Sequence, residues 1–156
     1  MSRQSTLLPG WRAPLLLTLC LAACRQSPPD TRTEFHAVPG QPTLPFSEAV
    51  RVGNMLYLSG QLGTDSTGRL VAGGIRAETR QALTNITTIL ERHGSSVDQV
   101  VKCTAMLADI GEWAVMNEVY LTFFRSHRPA RSAFGTSGLA LGARLELECM
   151  AALEPR

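Results

Sequence analysis

The sequence predicts one α+β domain, a mixed sheet in the order β-β-α-β-α-β-β with both helices on one face. Three observations predict it. Two stretches repeat apolar residues at helical spacing, several short β-branched runs lie between turn signals, and neither class dominates the chain. At 156 residues, 44% hydrophobic and 18% charged, the chain has the length for one domain with a real core and not for two.

The first 23 residues stand apart. Arg3 and Arg12, with no acidic residue, precede the apolar run APLLLTLCLAA, which falls short of the roughly 20 residues a membrane-spanning helix needs. This is the pattern of a secretory signal. It ends in Leu21-Ala22-Ala23-Cys24, which resembles a bacterial lipoprotein cleavage box, so Cys24 is the expected lipidation site and mature N-terminus. An ordinary signal peptide is the plainer alternative. The expected location is the bacterial envelope, on the periplasmic face of the outer membrane, because Arg25 is not the aspartate that commonly retains lipoproteins at the inner membrane. Residues 24–42 are polar with four prolines and read as a flexible tether, leaving 43–156 as the domain. Without residues 1–23 the chain keeps 13 basic and 13 acidic residues, and this neutral balance, with no basic run, gives no footprint for nucleic acid.

The domain opens with FSEAVRVGNMLYLSGQ, in which Gly53-Asn54 divides two short apolar runs and predicts a β-hairpin. TDSTGRL is then a turn-rich loop. Residues 75–93 place Ala82, Leu83, Ile86, Ile89 and Leu90 on one stripe, with Gly94 as the C-terminal stop of a helix. VVKCTAML, residues 100–107, reads as a strand. Asp109 and Glu112 open a second helix in which Trp113, Met116, Tyr120 and Phe123 share a core-facing stripe. Two strands close the chain, at about 131–136 and 143–152. If both helices are right-handed crossovers they cover the same sheet face. By strand parity the other face carries Met55, Tyr57, Ser59, Met106, Glu146, Glu148 and Met150, too apolar for water and too polar for a core, which predicts a homo-oligomer.

The chemistry is bounded by what the residues omit. His36, His93 and His127 lack metal-ligand spacing to one another or to cysteine, so no metal is expected, and there is no phosphate-binding glycine motif or nucleophile elbow. Lys102 is the one lysine of a chain that otherwise uses arginine, which reads as residue usage rather than Schiff-base chemistry. Cys20 leaves with the signal and Cys24 goes to lipid. Cys103 and Cys149 remain and could pair in an exported domain. Both fall mid-strand, where a buried thiol behaves as a small apolar residue, and free cysteines are the expectation. Arg131 begins one closing strand and Glu146 lies on the next, across a glycine-containing connection. Two readings stay open here. An internal Arg131–Glu146 ion pair is one; a receptor, in which arginine grips a substrate carboxylate and glutamate holds a water, is the other.

The segments VGNMLYLSGQLG, ETRQALTNITTILERHG, VDQVVKCTAML, NEVYLTFF and PARSAFGTSGLALGARLELECMA resemble the successive motifs of the RidA (YjgF) family of imine/enamine deaminases, over nearly all of positions 44–153. The resemblance implies a chorismate-mutase-like fold and a homotrimer with clefts between subunits. It implies catalysis by Arg131, which binds the substrate carboxylate, and Glu146, which places the attacking water, without a cofactor. Ser59, Asn117, Phe46 and Ala133 carry over as substrate-binding positions. Phe46 stands where the family often has tyrosine, Leu44 where a glycine is common, and Ala133 where some members have cysteine; these departures bear on substrate range. The implied reaction is hydrolysis of small 2-imino or enamine acids, of the 2-iminobutanoate and 2-iminopropanoate type, to 2-keto acids and ammonia. The alternative is a periplasmic module that binds a carboxylate ligand, or signals through it, without turnover.

Overall fold

The computed structural model describes residues 32–153. The signal region, Cys24 and the first part of the expected tether, residues 24–31, lie outside the described residues. Seven strands form one mixed sheet: β1 (Thr33–Ala37), β2 (Ser47–Val52), β3 (Met55–Leu58), β4 (Gln61–Leu62), β5 (Val100–Leu107), β6 (Ala130–Gly135) and β7 (Leu145–Ala152). Their order across the sheet is β1-β2-β3-β7-β5-β6, with β4 also paired to β7. Only β5 and β6 run parallel; the other pairs are antiparallel. Helices α1 (Gly74–Arg92) and α2 (Trp113–Phe123) supply the connections on either side of β5.

The predicted α+β class and both helices are present. Helix α1 buries the expected stripe, with Ala82, Leu83, Ile86, Ile89 and Leu90 all within one core. It ends as foreseen, where Gly94 adopts a positive φ of 77° and Ser95 N–H donates back to the Leu90 carbonyl. The predicted hairpin is also there, with Gly53 at φ 60° in the two-residue turn between β2 and β3. In β7 the buried residues alternate strictly with half-buried ones, so Leu145, Leu147, Cys149 and Ala151 enter the core while Glu146, Glu148 and Met150 face the other way. Both helices pack on that first face, since Met116 and Tyr120 of α2 join the same core. The opposite face has no helix among the described residues. It carries Tyr57 and Phe134, 41% and 47% exposed, with half-buried Met55, Met106 and Met150.

Four differences from the sequence reading have physical causes. Part of the expected tether is β1, an edge strand of pattern exposed-to-half-buried whose backbone pairs with β2 although its side chains add little core. The two-residue β4 is a second addition, too short to leave an apolar period. Trp113 leaves the core stripe of α2 and is 45% exposed, because as the first residue of the helix it lies beside the Arg131 guanidinium at the sheet margin. Most consequential is a disulfide between Cys103 and Cys149, in place of two free cysteines. The residues sit directly opposite each other on β5 and β7, both pointing into the helix-side core, with Cα atoms 4.1 Å apart. No helix among the described residues is long and apolar enough to cross a membrane.

Candidate active site

Strand β6 is the last strand of the sheet, and Arg131 lies near its start. Alignment with β5 places Arg131 beside Cys103, so its side chain projects from the helix side, toward α2. There its Nη2 donates to Asn117 Oδ1 at 2.6 Å and its Nη1 approaches Met116 Sδ at 3.8 Å. The guanidinium also lies over two rings, 4.6 Å from the Tyr120 centroid and 5.9 Å from that of Trp113. All these partners are neutral. They hold the guanidinium plane without cancelling its charge, and Arg131 has no carboxylate partner among the described residues.

The arginine lines a cavity of about 340 Å3 together with Trp113, Asn117, Tyr120, Leu121, Arg128 and Pro129. Tyr120 is buried, and its hydroxyl has no hydrogen-bond partner among the described residues. Burial pushes its phenol up to about 12, against a downward pull from the Arg131 charge. Ala133, two residues along β6, keeps the same parity as Arg131 and is half-buried.

Glu146 is elsewhere. It aligns with Met106 on β5 and with Leu62 on β4, on the face without helices. Among the described residues its carboxylate makes no hydrogen bond or ion pair. It lies instead over the backbone at Gly60, so closely that a Cβ there would come within 1.9 Å of Glu146 Oε1. Ser59 precedes that glycine. Its Oγ donates to the Ser47 carbonyl at 2.6 Å, tying the end of β3 to the start of β2, next to Phe46, which is 53% exposed.

The six expected site residues therefore form two groups. Arg131, Asn117 and Ala133 gather on the helix side at the sheet margin; Glu146 and Ser59 gather at Gly60 on the bare face, with Phe46 nearby in the chain. Arg131 and Glu146 do not pair, which removes the internal ion pair as a reading. Gly60 is the position sequence reasoning passed over. The SGQ stretch signalled it, since a glycine at a strand end often marks close approach of another group.

A second cavity, of about 330 Å3, includes Glu34, His36, Arg51, Arg92 and His93 in its wall. Beside it the buried Glu48 carboxylate is held by Arg92 and by His93 Nε2, and the His36 and His93 rings meet at 4.3 Å with a 40° tilt. Those contacts fasten β1 and β2 to the end of α1. Lys102, on the bare face, donates to Ser132 Oγ at 3.0 Å.

Comparison with known proteins adds relatives to this geometry. The family model described as Endoribonuclease L-PSP matches residues 36–153. A Bos taurus protein named 2-iminobutanoate/2-iminopropanoate deaminase is 46% identical over 112 residues, 71% of this chain and 82% of the relative. The Homo sapiens protein of that name is 44% identical over the same shares. Among solved structures, RidA from the Antarctic bacterium Psychrobacter sp. PAMC 21119 matches with a TM-score of 0.68 at 38% identity, covering 71% of this chain and 90% of that one. E. coli TdcF with bound serine matches with a TM-score of 0.67 at 31% identity and the same coverage.

Proposed function

We propose, on the premise that the chain belongs to the Endoribonuclease L-PSP (RidA/YjgF) family, that it hydrolyses small 2-imino or enamine acids to 2-keto acids and ammonia. The observation that carries this reading is the state of Arg131. A guanidinium held in place by Asn117 and the Tyr120 ring, lining a cavity and lacking a carboxylate partner, is prepared for an anionic ligand. Relatives named as imine deaminases supply the substrate class.

The chemistry follows from the two groups. Arg131 would take the substrate carboxylate in a two-pronged grip, fixing the imine carbon. Glu146 would accept a proton from a water whose oxygen attacks that carbon. As the tetrahedral carbon collapses, the C–N bond breaks, the nitrogen takes up the water's protons and leaves as ammonia, and the carbonyl of the keto acid remains. No electron changes hands. Since Arg131 and Glu146 project from opposite faces of one sheet, the reading requires them to meet between copies. A homotrimer with clefts between subunits is the assembly we propose, and the uncovered face bearing Tyr57, Phe134 and the methionines supports it.

Export belongs to the same proposal. The signal-like residues 1–23 and the L-A-A-C box support lipidation at Cys24, and a core disulfide suits an oxidising compartment such as the envelope. Detergent phase partitioning of wild type and Cys24→Ser tests it; a Cys24→Ser protein that is cleaved yet stays in the membrane fraction rejects lipidation. For the reaction, an amino-acid oxidase generates the imine of alanine, and keto-acid release is followed with and without the protein. Acceleration over the spontaneous rate is expected. Carboxylate binding without acceleration would mark a binding module instead.

A further inference from the structure

We propose that the Arg131 cavity takes imino acids that carry a second anionic group, the imines of acidic amino acids, with Arg128 receiving that group. This rests on the deaminase reading above and narrows its substrate.

Arg128 and Arg131 line the same cavity, joined by Pro129, whose ring fixes φ in the link between them. None of the described residues lining it is acidic. The acidic residues of α2 and of the turn before it are engaged elsewhere: Glu112 pairs with Arg144 at 2.6 Å and Glu118 with Arg76 at 2.5 Å. Arg128 itself makes no hydrogen bond or ion pair among the described residues. Two like charges facing one space repel each other, and an anion with two separated negative groups relieves both. A three-carbon imino acid satisfies only one.

Shape agrees with charge. A cavity of about 340 Å3 lies in the range that holds ligands larger than a three-carbon acid. Trp113 and Leu121 give it apolar wall against which intervening methylene carbons can lie. The reaction is unchanged: water adds to the imine carbon and ammonia leaves, with the second carboxylate a spectator held by Arg128.

The test compares kcat/KM for the imines of glutamate and alanine, generated in situ by amino-acid oxidases with spontaneous hydrolysis subtracted. Arg128 is exposed, so its ion pair with a ligand is partly screened and the expected preference for the glutamate imine is roughly fivefold. Arg128→Gln should bring the ratio to near one, and Arg128→Lys should restore part of it. No preference in wild type, or a proportional loss of both substrates in Arg128→Gln, overturns the proposal. Calorimetric binding of 2-oxoglutarate and pyruvate separates the two claims without turnover. Tighter binding of 2-oxoglutarate that disappears in Arg128→Gln supports the Arg128 assignment even where neither imine is hydrolysed, a result that defeats only the deaminase reading. Equal binding of the two keto acids defeats the Arg128 assignment alone.

Discussion

Arg131 and Glu146 project from opposite faces of one sheet, Arg131 in register with Cys103 and Glu146 with Met106, three residues farther along the same alternating strand. The proposed reaction therefore requires the two residues to come from different subunits. Arg131→Ala and Glu146→Gln proteins, each expected to be inactive alone, should therefore complement each other when refolded together. Random assembly of an equal mixture leaves about a quarter of the clefts with both native residues, so activity should return to about a quarter of wild type. A mixture as inactive as its components would place the site within one chain.

The neutral surroundings of Arg131 also separate binding from stability. Arg131→Lys keeps the charge but loses the planar fork and the fit to Asn117, and imine hydrolysis should fall roughly 30-fold or more. Glu146→Gln should abolish turnover while leaving the melting temperature within about 2 °C of wild type, because among the described residues of its own chain no cation pairs with that carboxylate. A large melting drop in Glu146→Gln would reveal a structural partner and remove the water-holding role.

Gly60 makes a sharper test of the same carboxylate. A methyl group at this position collides with Glu146 Oε1, the mobile end of a flexible side chain, rather than with backbone. Gly60→Ala should therefore fold and melt nearly as wild type while displacing the carboxylate by about 1 Å, and a shift of that size can lower the rate about 100-fold. Full activity in Gly60→Ala would show that the position of Glu146 over this backbone is immaterial.

How much of this could be read beforehand varied with how local the signal was. The stripe Ala82, Leu83, Ile86, Ile89 and Leu90 announced α1 because helical spacing is written in neighbouring residues, and VVKCTAML matched β5 end to end. Strand β1 announced nothing, since TEFHA owes its place to backbone pairing with β2 rather than to a buried face. The disulfide was hidden for another reason. Cys103 and Cys149 are mid-strand residues, and only the pairing of β5 with β7 puts them opposite each other. Strand parity did assign Glu146 to the bare face. The same rule could not be applied to Arg131 until the parallel pairing of β5 and β6 fixed its register, so two candidate residues that the glycine-containing connection was read as folding toward each other lie on opposite faces of the sheet.

Tyr120 links the Arg131 site to pH. Its folded-state value of about 12 lies above the ordinary 10.0, chiefly through burial, so the folded protein keeps the phenolic proton at pH values where the unfolded chain loses it. The stability this contributes is complete below pH 10 and is lost as pH climbs toward 12. Tyr120→Phe should flatten that part of the alkaline loss. At pH 8 it should melt no lower than wild type and up to about 1 kcal/mol more stable, because it removes a buried hydroxyl that has no partner among the described residues. Melting curves from pH 8 to 11 decide this, and an unchanged alkaline slope in Tyr120→Phe would assign the loss to other groups.

The disulfide connects stability with the proposed compartment. Cys103 and Cys149 are separated by 46 residues in sequence, and closing a loop of that size restricts the unfolded chain by about 4 kcal/mol in the loop-entropy account. Both residues are in the core, at 0% and 1% exposure, so their replacement by alanine also leaves the space of the sulfurs to be refilled. The double variant Cys103→Ala with Cys149→Ala should therefore melt about 10 °C or more below the oxidised protein, with its assembly state and Arg131 cavity retained. The bond should also report where the chain matures. Protein directed to an oxidising envelope should show no free thiol at these positions when unfolded in the presence of a trapping reagent, whereas the same domain made without residues 1–23 in a reducing cytoplasm should show two. Two free thiols in the envelope-matured protein would break the link between this disulfide and export, and equal melting of the double variant would show that the bond adds nothing to the fold.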